Sequence, residues 1–376
     1  MVEKVMKVLQ SIFSLASENG GPTRSTIGLS KALVQAGVDV VLVSHVPGTV
    51  SGEHREDLAR CGVDFREGRG IAYRTALKDS MKLLEEVRPD IVHVQGMWKL
   101  STHAMNVAAS RARIPIVISP RGMLDPWALS VKKWKKRLGM VLYQRGDLKR
   151  AFAFHAASST ESEHVRALGF RQPIIEVPNG VNLPEEWPER KVTDGTHVHT
   201  ALFLSRMHPG KGLILLADAW AALRPQGWRM LVVGTNERGH GDEIQAYVKE
   251  LGIASDWVFY GEASDREKWA IYRSADLFVH PSASENFGLS IAEALAAGLP
   301  VITTKGCPWD EIQGTCGWWI DRNKDALVSA MREAMALTDT QRQTMGENGH
   351  DLIHAKYTWP AIARRMKEGY ESLLHR

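Results

Sequence analysis

The stretch DLFVHPSASENFGLSIAEALAAGLPVITT, Asp276–Thr304, decides the fold class. It opens with a short apolar run, Leu277–Val279, which reads as a buried strand. A turn of Pro, Ser and Asn follows. The amphipathic run from Leu289 to Ala297 then reads as a helix closed by Gly298 and Pro300, with Val301–Thr303 as a second buried strand. Two carboxylates belong to this strand–loop–helix unit, Glu285 at its start and Glu293 in the middle, among Phe287, Leu289, Ile291 and Leu295. Burying a charge without a partner is costly. Either the two acids cap and solvate a helix, or they answer a ligand. The rest of the chain bears on which.

At 376 residues the length favours two domains, each large enough for its own core. With 44% hydrophobic and 24% charged residues, the composition is that of a soluble globular protein. No apolar run reaches the roughly 18 residues of a membrane-spanning helix. The opening MVEKVMKVLQSIF carries a Glu and two Lys and lacks the features of a signal peptide. Cys61, Cys307 and Cys316 are an odd number without metal-site spacing, which suits a reducing cytoplasm. The expected location is therefore cytoplasmic, with peripheral attachment to the inner face of the cell membrane allowed.

Charge is unevenly spread. Residues 1–180 hold 26 Lys and Arg against 17 Asp and Glu; residues 181–376 hold 21 against 26. The first half is expected to face something anionic.

In that half, Lys7–Phe13 reads as a strand that runs into Glu18-Asn19-Gly20-Gly21-Pro22-Thr23 and a helix from Ser25 to Gly37. A glycine pair between a strand and a helix N-terminus lets backbone approach an anionic ligand, though a plain turn explains it equally. It is not GxGxxG, so a dinucleotide fingerprint is absent. Strands at Val38–Val43, Asp90–Val94 and Ile114–Ser119, and helices near Tyr73–Val87 and Thr102–Ala109, continue the alternation. Nearly continuous apolar strands separated by helices imply a parallel sheet covered on both faces. Ligands gather beyond the C-terminal strand ends of such sheets. His93, Gln95 and Arg121 are expected there, as structural groups or as contacts to a ligand.

Trp127–Arg150 is the basic region. From Val131 to Arg150 it holds eight Lys and Arg and one acid, interleaved with Trp134, Met140, Leu142 and Tyr143. At helical spacing this makes either a cationic surface for anionic lipid or a solvated helix with inward aromatics. No nucleic-acid recognition module accompanies the charge, so nucleic acid is not an expected partner. Thr160 with Glu163 matches a capping box. Leu183–Thr196 reads as a linker.

The second half repeats the pattern, with strands at His199–Ser205, Trp228–Gly234, Val258–Gly261 and Leu277–His280. Arg206-Met207-His208-Pro209-Gly210-Lys211-Gly212 precedes a helix from Leu213 to Leu223. Separated cations on a glycine-containing loop at a helix N-terminus suit a diphosphate. The phosphate-loop pattern is not met, because Gly212 stands where a hydroxyl residue belongs. Two doubly wound α/β domains facing each other across a cleft are the natural architecture. Glu285 and Glu293 offer acceptors for ligand hydroxyls, with the backbone of Asn286, Phe287, Gly288 and Leu289 beside them.

These residues carry a resemblance. The run from Glu285 to Glu293 resembles the paired-glutamate motif of retaining GT-B glycosyltransferases of family 4. SRMHPGKG resembles the diphosphate motif of that family, and ALAAGLPVITT and PNGV fit its usual pattern. SPRGML and Gly317-Trp318-Trp319 are similar to a branch serving capsule, exopolysaccharide and lipopolysaccharide synthesis. The resemblance implies metal-independent transfer, without a cofactor, of a hexose-type sugar from a UDP- or GDP-linked donor to a glycan or lipid-linked glycan. It implies Arg206 and Lys211 for the leaving diphosphate, Glu293 for ribose hydroxyls, Glu285 for the donor sugar, and Gly21 near phosphates or acceptor. Arg121 stands where many members carry a histidine. The implied domains are 1–183 for the acceptor, a linker at 184–196, 197–358 for the donor, and 359–376 returning to the first domain. A GT-B nucleotide-sugar 2-epimerase and a catalytically silent partner subunit are the alternatives.

Overall fold

The computed structural model describes residues 5–16, 21–189 and 198–375. Gly20 and residues 190–197 of the linker region lie outside these. The chain divides into two compact units, Met1–Gly180 with Trp359–Arg376, and Val181–Thr358.

The first unit holds seven strands: β1 (Lys7–Ile12), β2 (Asp39–Ser44), β3 (Asp64–Glu67), β4 (Ile91–Gln95), β5 (Ile116–Ser119), β6 (Ala153–Ala156) and β7 (Ile174–Glu176). They pair in parallel in the order β3-β2-β1-β4-β5-β6-β7. Side chains of a strand alternate between faces. Val8, Val40, Leu42 and Ile91 accordingly enter one apolar cluster, and Leu9, Val41, Val43 and Val92 enter another on the opposite face. The C-terminal helix Trp359–Leu374 completes the first cluster with Ile362, Met366 and Tyr370.

The second unit holds β8 (His199–Leu204), β9 (Trp228–Val233), β10 (Trp257–Gly261), β11 (Leu277–His280), β12 (Val301–Thr304) and β13 (Gly317–Ile320). Their parallel order is β10-β9-β8-β11-β12-β13. Its two faces are again separate clusters, one holding Ala201 and Phe203, the other Leu202 and Phe278. Both orders reverse beside the first strand of their sheet, which is the doubly wound topology.

Several details differ from the sequence reading. The helix Gly52–Arg60 and β3 were not foreseen, because β3 is a charged edge strand, Asp64-Phe65-Arg66-Glu67, with no buried residue. His93 lies inside β4 and Gln95 ends it, rather than both following the strand. The helix Ser159–Ala167 starts before Thr160: Ser158 caps it, accepting from the Glu161 backbone N–H at 3.2 Å. Glu161, not Glu163, turns back, accepting from the N–H groups of Ala157 (2.8 Å) and Gly122 (2.6 Å). The basic region is a short helix, Pro126–Ser130, and then one continuous helical run in which Lys133–Gly139, the π-turn Met140–Gln144 and Arg145–Arg150 follow without interruption. Extended Val131 and left-handed Lys132 break it. Among the described residues no helix is long and apolar enough to cross a membrane.

Candidate active site

Strands β8 and β11 are neighbours, so the loops leaving their C-terminal ends meet. Gly212, at φ +82°, makes the meeting possible: a Cβ there would lie 2.2 Å from the Pro281 carbonyl oxygen. The Ala283 N–H donates to Gly210 O at 2.8 Å, fastening one loop to the other. Lys211 thereby reaches Glu285, its Nζ 2.6 Å from Oε1.

The same oxygen lies 2.7 Å from His280 Nε2, at the end of β11. His280 is fully buried and stacks against Phe203 and Phe278. Burial holds its pKa below the ordinary value despite Glu285, so the imidazole is neutral and donates from Nε2. For Glu285 burial opposes ionisation, yet Lys211 and His280 outweigh it and hold the carboxyl well below the usual range. Both contacts fall on Oε1; Oε2 carries no hydrogen bond among the described residues. The result is a fixed anion with one acceptor oxygen uncommitted, beside a lysine.

Phe287 is buried, and its carbonyl accepts from Trp309 Nε1 at 2.5 Å. Asn286 is half-buried beside it, and Gly288 precedes Leu289, the first residue of the helix Leu289–Ala296. Glu293, on that helix, is 6% exposed and accepts from Lys268 Nζ (2.7 Å) and Tyr272 Oη (3.1 Å). Arg206 is exposed and donates to Glu237 at 2.9 Å. Lys211 and Glu285 are thus brought together, whereas Arg206 and Glu293 engage other partners.

The sequence reading missed His280, Lys268 and Tyr272. His280 carried a signal as a polar residue closing an apolar strand. Lys268 and Tyr272, four positions apart on the helix Asp265–Arg273, carried only the spacing of a shared helix face.

In the first unit the candidates lie at C-terminal strand ends. Gly21 opens the helix Gly21–Gln35 and is exposed. Arg121, after β5, has left-handed backbone (φ +56°) and donates from Nε to Gln95 Oε1 (2.9 Å) and from Nη1 to Asn179 Oδ1 (2.6 Å). Burial brings its pKa down to about 10, opposed by Glu161 and Tyr370. His93 faces no solvent: it bonds Tyr370 Oη and Ser119 Oγ, each at 2.6 Å, and Ser119 continues to His155 at 2.7 Å. It is a buried link in a polar chain, with Gln95 and Arg121 above it.

Comparison with known proteins bears on both units. A family model described as glycosyl transferase 4-like domain matches residues 20–180, and one described as glycosyl transferases group 1 matches residues 188–351. A D-inositol 3-phosphate glycosyltransferase of Corynebacterium kroppenstedtii is 24% identical over 94% of this chain and 81% of its own. A GDP-mannose:cellobiosyl-diphosphopolyprenol alpha-mannosyltransferase of Komagataeibacter xylinus is 29% identical over 54% of this chain and 52% of its own. The crystal structure of Anabaena HepE in complex with UDP superposes with a TM-score of 0.76 at 20% identity, covering 98% of this chain and 100% of that one. Two Rossmann-like halves, each with its own parallel sheet, make this the GT-B fold, and the chain belongs to the group 1, family-4-like glycosyltransferases, enzymes that transfer a sugar.

Proposed function

We propose that this enzyme transfers a hexose-type sugar, with retention at the anomeric carbon, from a UDP- or GDP-linked donor to a glycan or lipid-linked glycan. The single observation that carries the reading is the Lys211–Glu285–His280 cluster at the strand ends of the second sheet. Lys211 meets the negative charge that grows on the diphosphate as the anomeric C–O bond breaks, and fixed cations of this kind are worth several kcal/mol, on the order of 3. Arg206, swinging from Glu237, adds the second charge. Oε2 of Glu285 accepts from donor-sugar hydroxyls, beside the Asn286–Leu289 backbone. Glu293 takes the ribose hydroxyls, sharing them with Lys268. The new bond forms on the face the diphosphate leaves, and the acceptor proton passes to a leaving phosphate oxygen. Gly21, Gln95 and Arg121 serve the acceptor side, with His93 beneath Gln95.

The acceptor reading draws on the first half's positive balance and on the relative whose name specifies a diphosphopolyprenol acceptor. In this reading Trp127–Arg150 rests on anionic membrane at the cytoplasmic face. The test is a panel of UDP- and GDP-sugars incubated with membrane extract, products being identified by mass spectrometry. Transfer with one donor is expected, and Glu285→Ala is expected to lower it by about a hundredfold or more. Full transfer by Glu285→Ala would overturn the site. A new epimer formed from donor alone would overturn the reaction.

A further inference from the structure

The basic region contains a feature that membrane contact alone does not require. A groove of about 410 Å³ lies between Trp98 and the Pro126–Met140 segment. Its walls are mainly apolar, with Trp98, Leu129 and Met140 contributing, while Lys133, Lys136 and Arg137 stand along it. None of these three cations has a carboxylate partner among the described residues. Burial, and then Lys132, hold the Lys136 ammonium below its ordinary pKa. Neighbouring cations without counter-ions favour an anion among them.

The aromatic wall is held at some cost. Trp98 has φ +69°, a conformation that bulky L-residues rarely adopt. Its N–H donates to Gln144 Oε1 at 2.9 Å and its carbonyl accepts from Tyr143 Oη at 2.8 Å. Both partners come from the π-turn Met140–Gln144, an irregularity frequent at functional sites. The indole Nε1 is enclosed yet has no hydrogen-bond partner. Lys136 Nζ lies 5.9 Å from the Trp98 ring centroid. The same segment exposes Trp127, Trp134, Leu138, Val141 (78%) and Leu142 (69%), and Trp134, Leu138, Val141 and Leu142 follow the spacing of one helix face.

We propose that this groove binds one molecule of a phosphorylated membrane lipid, its chain against Trp98, Leu129 and Met140 and its phosphate among Lys133, Lys136 and Arg137. Lys136 Nζ donates to the Ala128 carbonyl, which leaves its charge uncompensated, and an apolar trough bordered by cations without carboxylate partners matches a ligand in which a phosphate adjoins a long apolar chain. A free phosphate uses only the cations, and a neutral lipid only the trough. The inference rests on the reading of this face as membrane-directed, and deepens it from surface adsorption to a stoichiometric site.

The test uses dihexanoyl phosphatidic acid below its micelle concentration, titrated calorimetrically into the full chain. Inorganic phosphate and dihexanoyl phosphatidylcholine are the comparison ligands. One-to-one binding of the phosphatidic acid is expected, about tenfold or more tighter than either comparison. Leu129→Trp, which fills the trough and keeps every cation, is expected to weaken it by about tenfold while sedimentation with phosphatidylglycerol vesicles persists. The exposed pair Lys133→Glu with Arg137→Glu is expected to abolish it with an unchanged thermal transition. That double variant decides the matter should Leu129→Trp fail to fold. Equal binding of inorganic phosphate, or indifference to both variants, would overturn the proposal. Vesicle binding without uptake of the monomeric lipid would overturn the groove and spare the membrane reading; loss of both would sink both. Self-association abolished by Leu129→Trp without lipid uptake would assign the groove to a second copy of the chain instead.

Discussion

Lys211 and Glu285 are each largely enclosed, so their pairing bears on stability as well as on the proposed chemistry. Removing one partner of such a pair strands the other charge, typically at about 3 kcal/mol. Lys211→Ala is expected to lower the unfolding free energy by about that amount. Lys211→Ala combined with Glu285→Gln should recover much of the loss, because no ion is then left unpaired. Chemical denaturation of the two variants checks this; equal destabilisation would mean that His280 alone satisfies the carboxylate. In the proposed reaction neither variant should transfer sugar, since both lack Lys211, the cation proposed for the leaving diphosphate. The sign of the pH effect follows from the direction of the shift. The folded carboxyl is held below its unfolded value, so its contribution is present above the unfolded pKa of about 4.5 and lost as pH falls through the folded one.

At the scale of elements, the contact between the loops after β8 and β11 depends on a residue without a side chain. Gly212→Ala would place a methyl group 2.2 Å from the Pro281 oxygen and force left-handed backbone on an L-residue, about 1–2 kcal/mol for the backbone alone. Transfer activity should fall further than the melting temperature suggests, because the displaced loop carries Glu285. Parallel thermal and activity measurements separate the two, and unchanged activity would show that the loops need not touch. Most buried strands were legible because both of their faces are apolar, as in β1, β4, β8 and β11. The edge strands β3 and β13 were not, although β10, also at an edge, was. Asp64–Glu67 in β3 has no buried residue, and β13 begins at Gly317, where a Cβ would lie 1.9 Å from the Val301 carbonyl oxygen. Pairing there rests on close backbone approach, which leaves no periodicity to read. In the basic region the count of cations was legible. Its division at Val131 and Lys132, and the groove that follows from it, depends on backbone angles. The site divided along similar lines. Lys211 and Glu285 stood out by residue type and spacing, but the enclosure of His93 and the pairing of Glu293 with Lys268 arise from distant parts of the chain.

Across the whole molecule, buried histidines distribute pH sensitivity unequally. The first unit encloses three that burial keeps neutral. His45, hydrogen-bonded to Ser11, is lowered to about 4, with Asp79 opposing. His155 falls to about 3, helped by Arg121, and His93 lies well below its ordinary value, helped by His155 and Arg121. The second unit encloses His280, where Glu285 offsets part of the burial effect. Each such histidine takes up a proton on unfolding once pH drops below about 6.5, so the unfolded state binds more protons and stability falls with pH. The slope approaches about 1.4 kcal/mol per pH unit for each fully shifted group. The first sheet should therefore lose protection sooner on acidification from pH 7 towards pH 5. The C-terminal helix should open with it, since Tyr370 bonds His93 and Trp359 fills the space beside Gly28 and Gly180. Hydrogen exchange followed by mass spectrometry, resolved between residues 5–180 and 198–358, measures this directly. His155→Gln should flatten the pH dependence of the first unit while leaving that of the second unchanged. Equal slopes in the two units would mean that these histidines already bind their protons in the folded first unit.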